Sequence, residues 1–140
     1  MRPNGENRVG KQDRNGNGRQ QRILLVDDNV DFTTSLSLLL ESMGHDVRAA
    51  NDGAEALATA REFRPDVAFL DLGLPGLSGY DLAREIGKLP EASNTVLIAL
   101  SGWGQPQDRH HSRQAGFAMH LVKPVELATI QSVLQSMPRP

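Results

Sequence analysis

The feature that most limits the fold is a repeated alternation of short apolar runs with helical segments. Five runs have the composition of buried strands, and they cover residues 23–26, 46–50, 67–70, 95–100 and 119–122. Each run is followed by a segment of helical character, and joints rich in Gly and Pro separate several of them. Such alternation produces a mostly parallel sheet, because right-handed crossover connections place the helices on its two faces. The sequence therefore predicts an α/β fold with a doubly wound, five-stranded parallel sheet.

The first two helices are predicted from apolar residues spaced three and four apart. The first has an apolar stripe that ends before Gly44, a helix stop signal; the stripe comprises Phe32, Leu36, Leu39, Leu40 and Met43. The second carries Ala54, Leu57 and Ala58 and is expected to end at Pro65.

The chain divides at about residue 22. Residues 1–21 contain only Met1 and Val9 as sizeable apolar side chains, so they cannot bury enough surface to offset the entropy of an ordered chain. We expect a disordered tail or linker over residues 1–21 and one folded domain over residues 22–138. A chain of 140 residues has room for one core of usual size.

Composition excludes several classes of function. A formal net charge of -2 is too balanced for a protein built around nucleic-acid phosphates, and the absence of Cys removes disulfides, thiolate metal sites and cysteine nucleophiles. No apolar stretch approaches the roughly 18 residues of a membrane span, and the first residues lack the apolar core that a signal peptide requires. We therefore expect a cytoplasmic protein without a membrane span.

Chemically active side chains follow four of the predicted strands. Asp27 and Asp28 follow the first, Asp71 the third, Ser101 the fourth and Lys123 the fifth. In a doubly wound sheet the ligand crevice lies outside the carboxyl ends of the strands, so these groups should meet there. Clustered carboxylates repel unless a cation compensates them, and oxygen ligands of this kind suit Mg²⁺. With a hydroxyl and an ammonium group beside them, the arrangement favours phosphoryl transfer.

Four segments resemble the receiver domains of bacterial two-component response regulators, a family that includes the single-domain chemotaxis receiver. These are ILLVDDN, FLDLGLPGLSGYDL, ALSGW and LVKPVEL, which occur in the family's order between residues 22 and 137. The stretch from Ala99 through the segment AGFAMHLVKP is most similar to receivers appended to hybrid histidine kinases. The resemblance implies a flavodoxin-like strand order, 2-1-3-4-5.

The resemblance also implies a metal site. Asp28 and Asp71 would bind Mg²⁺ together with the backbone carbonyl of Gly73, and Asp27 would act mostly through metal-bound water. Mg²⁺ is the one cofactor that we expect.

The roles implied at the phosphoryl group are equally specific. Asp71 would be the phosphoacceptor, Ser101 would form a hydrogen bond with the phosphoryl group, and Lys123 would contact it by charge. His120 stands three residues before the lysine, where the family often has Tyr or Phe, and would turn inward once Ser101 moves toward the phosphoryl group. Trp103, the only tryptophan, is a candidate cover of the site.

The implied function is a signalling receiver, which is not an enzyme beyond its own phosphorylation and slow dephosphorylation. The phosphoryl group would come from a sensor histidine kinase or a histidine phosphotransfer protein. Output would pass through contacts with an unknown protein target, because no nucleic-acid-binding domain is expected. We expect a monomer or a weak dimer.

Other functions fit the same residues less well. A phosphohydrolase of the haloacid dehalogenase type needs an acidic residue at Gly73, and a flavodoxin-like cofactor carrier needs a phosphate loop in place of Asp27, Asp28 and Asn29. No Walker or dinucleotide-binding motif follows a strand. The alternative that stays open is a receiver-fold scaffold that binds proteins without being phosphorylated.

Three histidines are predicted to have no role at the site. His110 and His111 are neighbours on a polar helix, so we expect both to be solvated. His45 is expected in an exposed turn before the second strand.

Overall fold

A computed structural model describes residues 20–102 and 109–137. The part of the chain that we predict to be a tail lies outside these residues, except for Gln20 and Gln21. Gln21 is 3% exposed, its N–H donates to Nδ1 of His45, and its carbonyl accepts from the N–H of Asp46. Packed structure therefore begins at least one residue before the predicted boundary.

The sheet has five parallel strands in the order β2-β1-β3-β4-β5. They are β1 (Arg22–Val26), β2 (Asp46–Ala50), β3 (Val67–Asp71), β4 (Val96–Ser101) and β5 (Phe117–Val122). The predicted fold class and strand order are confirmed. The largest difference in bounds is at β5, which begins at Phe117 instead of Met119, because Phe117 already pairs with Leu97 of β4.

Within residues 20–102 and 109–137, five α-helices and one short 3₁₀ helix connect or follow the strands. They are α1 (Val30–Ser42), α2 (Gly53–Phe63), α3 (Gly79–Gly87), the 3₁₀ helix (Pro90–Ala92), α4 (Arg109–Ala115) and α5 (Leu127–Gln135). Polar caps start α1, α2 and α3, where the side chains of Asn29, Asp52 and Ser78 accept backbone N–H groups of the first turn. Gly44 has a φ of 97°, which supports its predicted role in ending α1.

The core lies on both faces of the sheet, as expected for a doubly wound fold. Alternate residues of a strand face opposite sides, so Phe69 of β3 packs with Ile23 and Leu25, whereas Leu70 packs with Leu24 and Val26. All five residues of β3 are buried. A strand covered on both faces must be apolar along its whole length, so a charged side chain is tolerated only at its end, where Asp71 stands.

Two helical faces differ from the predicted ones. In α1, Leu36 and Leu40 are buried, but Leu39 is 47% exposed. In α2 the predicted Ala54 and Ala58 are exposed, and the buried residues are instead Gly53, Ala56, Ala60 and Phe63. Small alanines on every side of α2 give little contrast between its faces, so the spacing of the alanines alone did not indicate which side turns inward.

Among residues 20–102 and 109–137, no helix combines the length and the apolar character that crossing a membrane requires.

Candidate functional site

The five side chains predicted to share a crevice stand at the same edge of the sheet. Asp27 and Asp28 follow β1, Asp71 ends β3, Ser101 ends β4, and Lys123 directly follows β5. The strands are parallel, so their carboxyl ends lie together. The backbone links two of these ends, because the N–H of Lys123 donates to the carbonyl of Ser101 at 2.8 Å.

Asp27 is held by its own loop and by a residue at the end of β2. Its side chain is 2% exposed, and its Oδ1 accepts the N–H of Asn29 at 2.9 Å. The amide of Asn51 donates to the Asp27 carbonyl at 2.8 Å and lies 3.2 Å from the hydroxyl of Thr33. No site residue is predicted at the end of β2, although the position of Asn51 directly after that strand is a signal that could have indicated it.

Three carboxylates form the acidic part of the site. One oxygen each from Asp27, Asp28 and Asp71 can be chosen so that all three atoms lie within 4.8 Å of one another. Asp27 and Asp71 are buried, whereas Asp28 is exposed. The cluster therefore opens to solvent on the Asp28 side.

Lys123 supplies the positive charge next to this cluster. Its ammonium group donates a hydrogen bond to Oδ2 of Asp27 and lies 3.7 Å from Oδ1 of Asp71. The same nitrogen is 5.2 Å from the ring centre of Phe32, at the start of α1. The Lys123 side chain is 25% exposed, so its charge faces the two buried carboxylates with limited screening by water.

The surroundings raise the pKa of Asp71 above its ordinary value. Burial is the largest cause, and the charges of Asp27 and Asp28 act in the same direction. The N–H of Gly73, which donates to Oδ1 of Asp71 at 3.0 Å, and the charge of Lys123 lower the pKa but do not reverse the shift. A raised pKa corresponds to a more basic and more nucleophilic carboxylate.

The charges of the site match one divalent cation. Three carboxylates and one ammonium leave two formal negative charges uncompensated, and the carboxylate oxygens are close enough to share an ion. An all-oxygen set with an open side suits Mg²⁺, which binds through one or two carboxylates and keeps several waters. The donor set thus fits the predicted metal; the participation of the Gly73 carbonyl stays a prediction.

Gly79, which the sequence did not indicate, lies against the backbone of Asp71 and Leu72. A Cβ atom there would lie 2.5 Å from the carbonyl oxygen of Asp71 and 2.6 Å from Cα of Leu72. The N–H of Gly79 donates to the Leu72 carbonyl at 3.3 Å. The absence of a side chain lets α3 start directly against the backbone that carries Asp71.

Ser101 contacts His120, and His120 contacts a third residue that the sequence did not indicate. Nε2 of His120 is 3.0 Å from Oγ of Ser101, and Nδ1 is 3.0 Å from Oγ of Ser112 on α4. The exposed fractions are 0% for Ser101, 8% for His120 and 2% for Ser112. The imidazole already lies inward with Ser101 in contact, so its inward position does not require the space that we expected Ser101 to vacate.

Of the other predicted residues, His110 is exposed as expected, His111 and His45 are placed differently, and Trp103 lies outside the described residues. His111 is not simply solvated: its ring stacks on Tyr80 with centroids 3.8 Å apart, and its Nε2 accepts from Arg84 at 3.1 Å. His45 is half-buried, and burial lowers its pKa below the ordinary value. Trp103 lies outside the described residues, so its role as a cover stays a prediction.

Comparison with known proteins identifies the family of this chain. Residues 23–135 match the family model described as the response regulator receiver domain. The chain is 36% identical over 117 residues to protein PilH of Pseudomonas aeruginosa, and the match covers 81% of this chain and 97% of PilH.

Two solved structures give the same result. Chemotaxis protein CheY4 of Vibrio cholerae superposes with a TM-score of 0.78 at 28% identity, over 86% of this chain and all of CheY4. The receiver domain of sensor histidine kinase PA1611 from Pseudomonas aeruginosa, with a magnesium ion in its active site cleft, has a TM-score of 0.74 at 35% identity. That match covers 85% of this chain and 98% of the PA1611 domain. The chain belongs to the receiver-domain family of two-component response regulators.

Proposed function

We propose that this receiver accepts a phosphoryl group on Asp71, with Mg²⁺ bound at the adjacent carboxylates, and signals through protein contacts. The observation that carries the proposal is the position of the Asp71 carboxylate. It lies at the end of a buried strand, 3.7 Å from the Lys123 ammonium and in one cluster with Asp27 and Asp28. The raised pKa of Asp71 also supports its role as the nucleophile among the three.

The proposed reaction is a transfer from a phosphorylated histidine of a kinase or phosphotransfer protein. An oxygen of Asp71 forms a bond to phosphorus while the bond between phosphorus and the donor imidazole breaks. The electron pair of that bond leaves with the imidazole, which takes a proton from solvent. Lys123 and the Ser101 hydroxyl would donate to the oxygens of the transferred group, where negative charge must be stabilised.

Mg²⁺ would be held by Asp28 and Asp71, with Asp27 contributing through water. When bound, the ion neutralises the approaching anionic phosphoryl group and orients it toward the carboxylate. The magnesium ion in the PA1611 receiver supports this assignment, since that domain is similar in fold and sequence.

The proposal is tested by phosphorylation with acetyl phosphate in the presence of Mg²⁺. Intact-mass measurement should show the addition of one phosphoryl group, which hydroxylamine then removes because it is an acyl phosphate. Asp71→Asn should lose the product, whereas Asp46→Asn, a matched change at an exposed strand position, should retain it. Equal labelling of Asp71→Asn and the unmodified chain would contradict the assignment.

The donor class is tested separately. Purified histidine kinases and phosphotransfer proteins, each carrying labelled phosphohistidine, should transfer label to the chain at different rates, and a cognate donor should be the fastest. Failure with every phosphohistidine donor and with acetyl phosphate would favour the alternative, a receiver-fold scaffold that binds proteins without being phosphorylated.

A further inference from the structure

Three buried side chains form a continuous hydrogen-bonded chain between the candidate site and helix α4. Ser101 at the end of β4 contacts Nε2 of His120 on β5, and Nδ1 of His120 contacts Ser112 on α4, both at 3.0 Å. All three residues are at least nine-tenths buried, so water competes little for these bonds. This series of hydrogen bonds connects helix α4 to two strands, β4 and β5, that are already paired in the sheet.

The position of the proton on the His120 imidazole determines which group donates in each of these hydrogen bonds. A neutral imidazole has one N–H donor and one bare nitrogen acceptor, whereas each hydroxyl can do both. With the proton on Nε2, His120 donates a hydrogen bond to Ser101, and its Nδ1 accepts a hydrogen bond from the Ser112 hydroxyl. With the proton on Nδ1, His120 donates a hydrogen bond to Ser112, and its Nε2 accepts a hydrogen bond from the Ser101 hydroxyl.

Only the first arrangement is compatible with a donor role for Ser101. If the single O–H group of Ser101 donates its hydrogen bond to Nε2, only the oxygen lone pairs can face a phosphoryl oxygen, and these repel an anion. If Nε2 donates instead, the Ser101 proton is free to point toward the phosphoryl group. The direction of hydrogen bonding at Ser112 is then fixed as well.

We propose that His120 is a positioning residue, held by Ser112 as the Nε2–H tautomer when Asp71 is phosphorylated, so that Ser101 donates to the phosphoryl group. The inference rests on the proposed function, because it requires an anionic acceptor at Asp71. Phosphorylation therefore sets which way the Ser112 hydroxyl points within α4. Ser112 and His120 both line a cavity of about 70 Å³.

The test uses ¹⁵N-histidine NMR of the full chain at about pH 8, above the ordinary titration range of histidine. Spectra are recorded with Mg²⁺ alone and with beryllofluoride, an analogue of the phosphoryl group. The ¹⁵N shifts of the ring distinguish a protonated from a bare nitrogen. With beryllofluoride, we expect His120 to carry its proton on Nε2 and a bare Nδ1.

Variants at Ser112 separate positioning from a structural role. Ser112→Ala should leave His120 in a mixture of tautomers with beryllofluoride bound, and should slow phosphorylation by acetyl phosphate about 2- to 10-fold, the range expected for loss of one neutral hydrogen bond. Ser112→Thr keeps the hydroxyl and adds one methyl group at a residue that lines a cavity, so it should restore both. Ser132→Ala, at an exposed position of α5, is the matched control.

The outcomes distinguish the inference from the function on which it rests. Amide shifts of Asp71 and Gly73 report binding of beryllofluoride independently of the imidazole. Binding with His120 protonated on Nδ1, protonated on both nitrogens, or unaffected by Ser112→Ala would overturn the inference alone. No binding at all would overturn the proposed function and the inference together.

Discussion

The ammonium nitrogen of Lys123 lies 3.7 Å from Oδ1 of Asp71 and also donates a hydrogen bond to the carboxylate of Asp27. One cation thus compensates two buried carboxylates that come from different strands. Removing its charge would leave those carboxylates buried without compensation, a situation that costs more than the attraction itself contributes.

Lys123→Met should therefore destabilise the metal-free protein. We expect a loss of about 1 to 2 kcal/mol in the free energy of unfolding, less than for a fully buried pair because the side chain is a quarter exposed. Urea unfolding in EDTA measures the loss, which should shrink when Mg²⁺ is added. Lys88→Met removes a lysine that is 72% exposed and paired with Glu85, so it should change stability little. Equal losses in the two variants would show that the Lys123 charge has no special role.

Mg²⁺ should stabilise the folded chain because the three carboxylates converge only in that state. At a metal concentration 100-fold above the Kd, binding adds about 2.7 kcal/mol to stability and raises the melting temperature. Asp28→Ala should lose most of this increase, whereas Asp31→Ala, an exposed carboxylate in the first turn of α1, should keep it. If both variants respond to Mg²⁺ as the unmodified chain does, the metal site is placed wrongly.

Because the pKa of Asp71 is raised, ionisation of that carboxylate in the metal-free protein should lower the free energy of unfolding, and this loss should depend on pH. The folded protein holds the proton more tightly than the unfolded chain, whose pKa is near 3.8, so stability falls as the pH rises through the folded pKa. In EDTA, Asp71→Asn should then be more stable than the unmodified chain at neutral pH. The free energies of unfolding of the two proteins should converge when the pH is lowered below about 4. There, Asp71 of the unmodified chain is protonated in both the folded and the unfolded state. Thermal melts across this range measure the difference, and a gap that does not change with pH would contradict the stated cause.

Gly79→Ala should disturb the site through the backbone. Its Cβ would meet backbone atoms of Asp71 and Leu72, which cannot rotate away, so we expect a loss of about 1 to 3 kcal/mol in stability and slower phosphorylation. Gly87, at the other end of α3, has nothing within 4 Å of its Cβ position. Gly87→Ala should be neutral or slightly stabilising, as for Gly to Ala changes within helices. Similar effects of the two substitutions would rule out a steric role for Gly79.

The sequence predicts the parts of this molecule that depend on simple periodicity. The first four residues of β3 are apolar because the strand is covered on both faces, so the start of the strand and the position of Asp71 at its end could be predicted from the sequence. The shared crevice of Asp27, Asp71 and Lys123 then follows from the parallel arrangement of the strands.

Features that depend on tertiary packing were missed. The sequence of α4, RHHSRQA, has no apolar stripe, so nothing in it indicates that Ser112 is buried or that His111 stacks on Tyr80. Whether His120 turns toward Ser101 depends on partners from β4 and α4, which are distant in the chain. Local patterns cannot carry such information, because each contact is decided by where the other element packs.

The central claim, that Asp71 is the phosphoacceptor, is tested most directly by locating the acyl phosphate in the chain. Borohydride reduction of the phosphorylated protein converts an aspartyl phosphate to homoserine, which peptide mass spectrometry assigns to a position. The account predicts homoserine at position 71 alone, appearing only after treatment with phosphodonor and Mg²⁺. Homoserine at position 27 or 28, or a phosphorylated chain without homoserine at position 71, would contradict it.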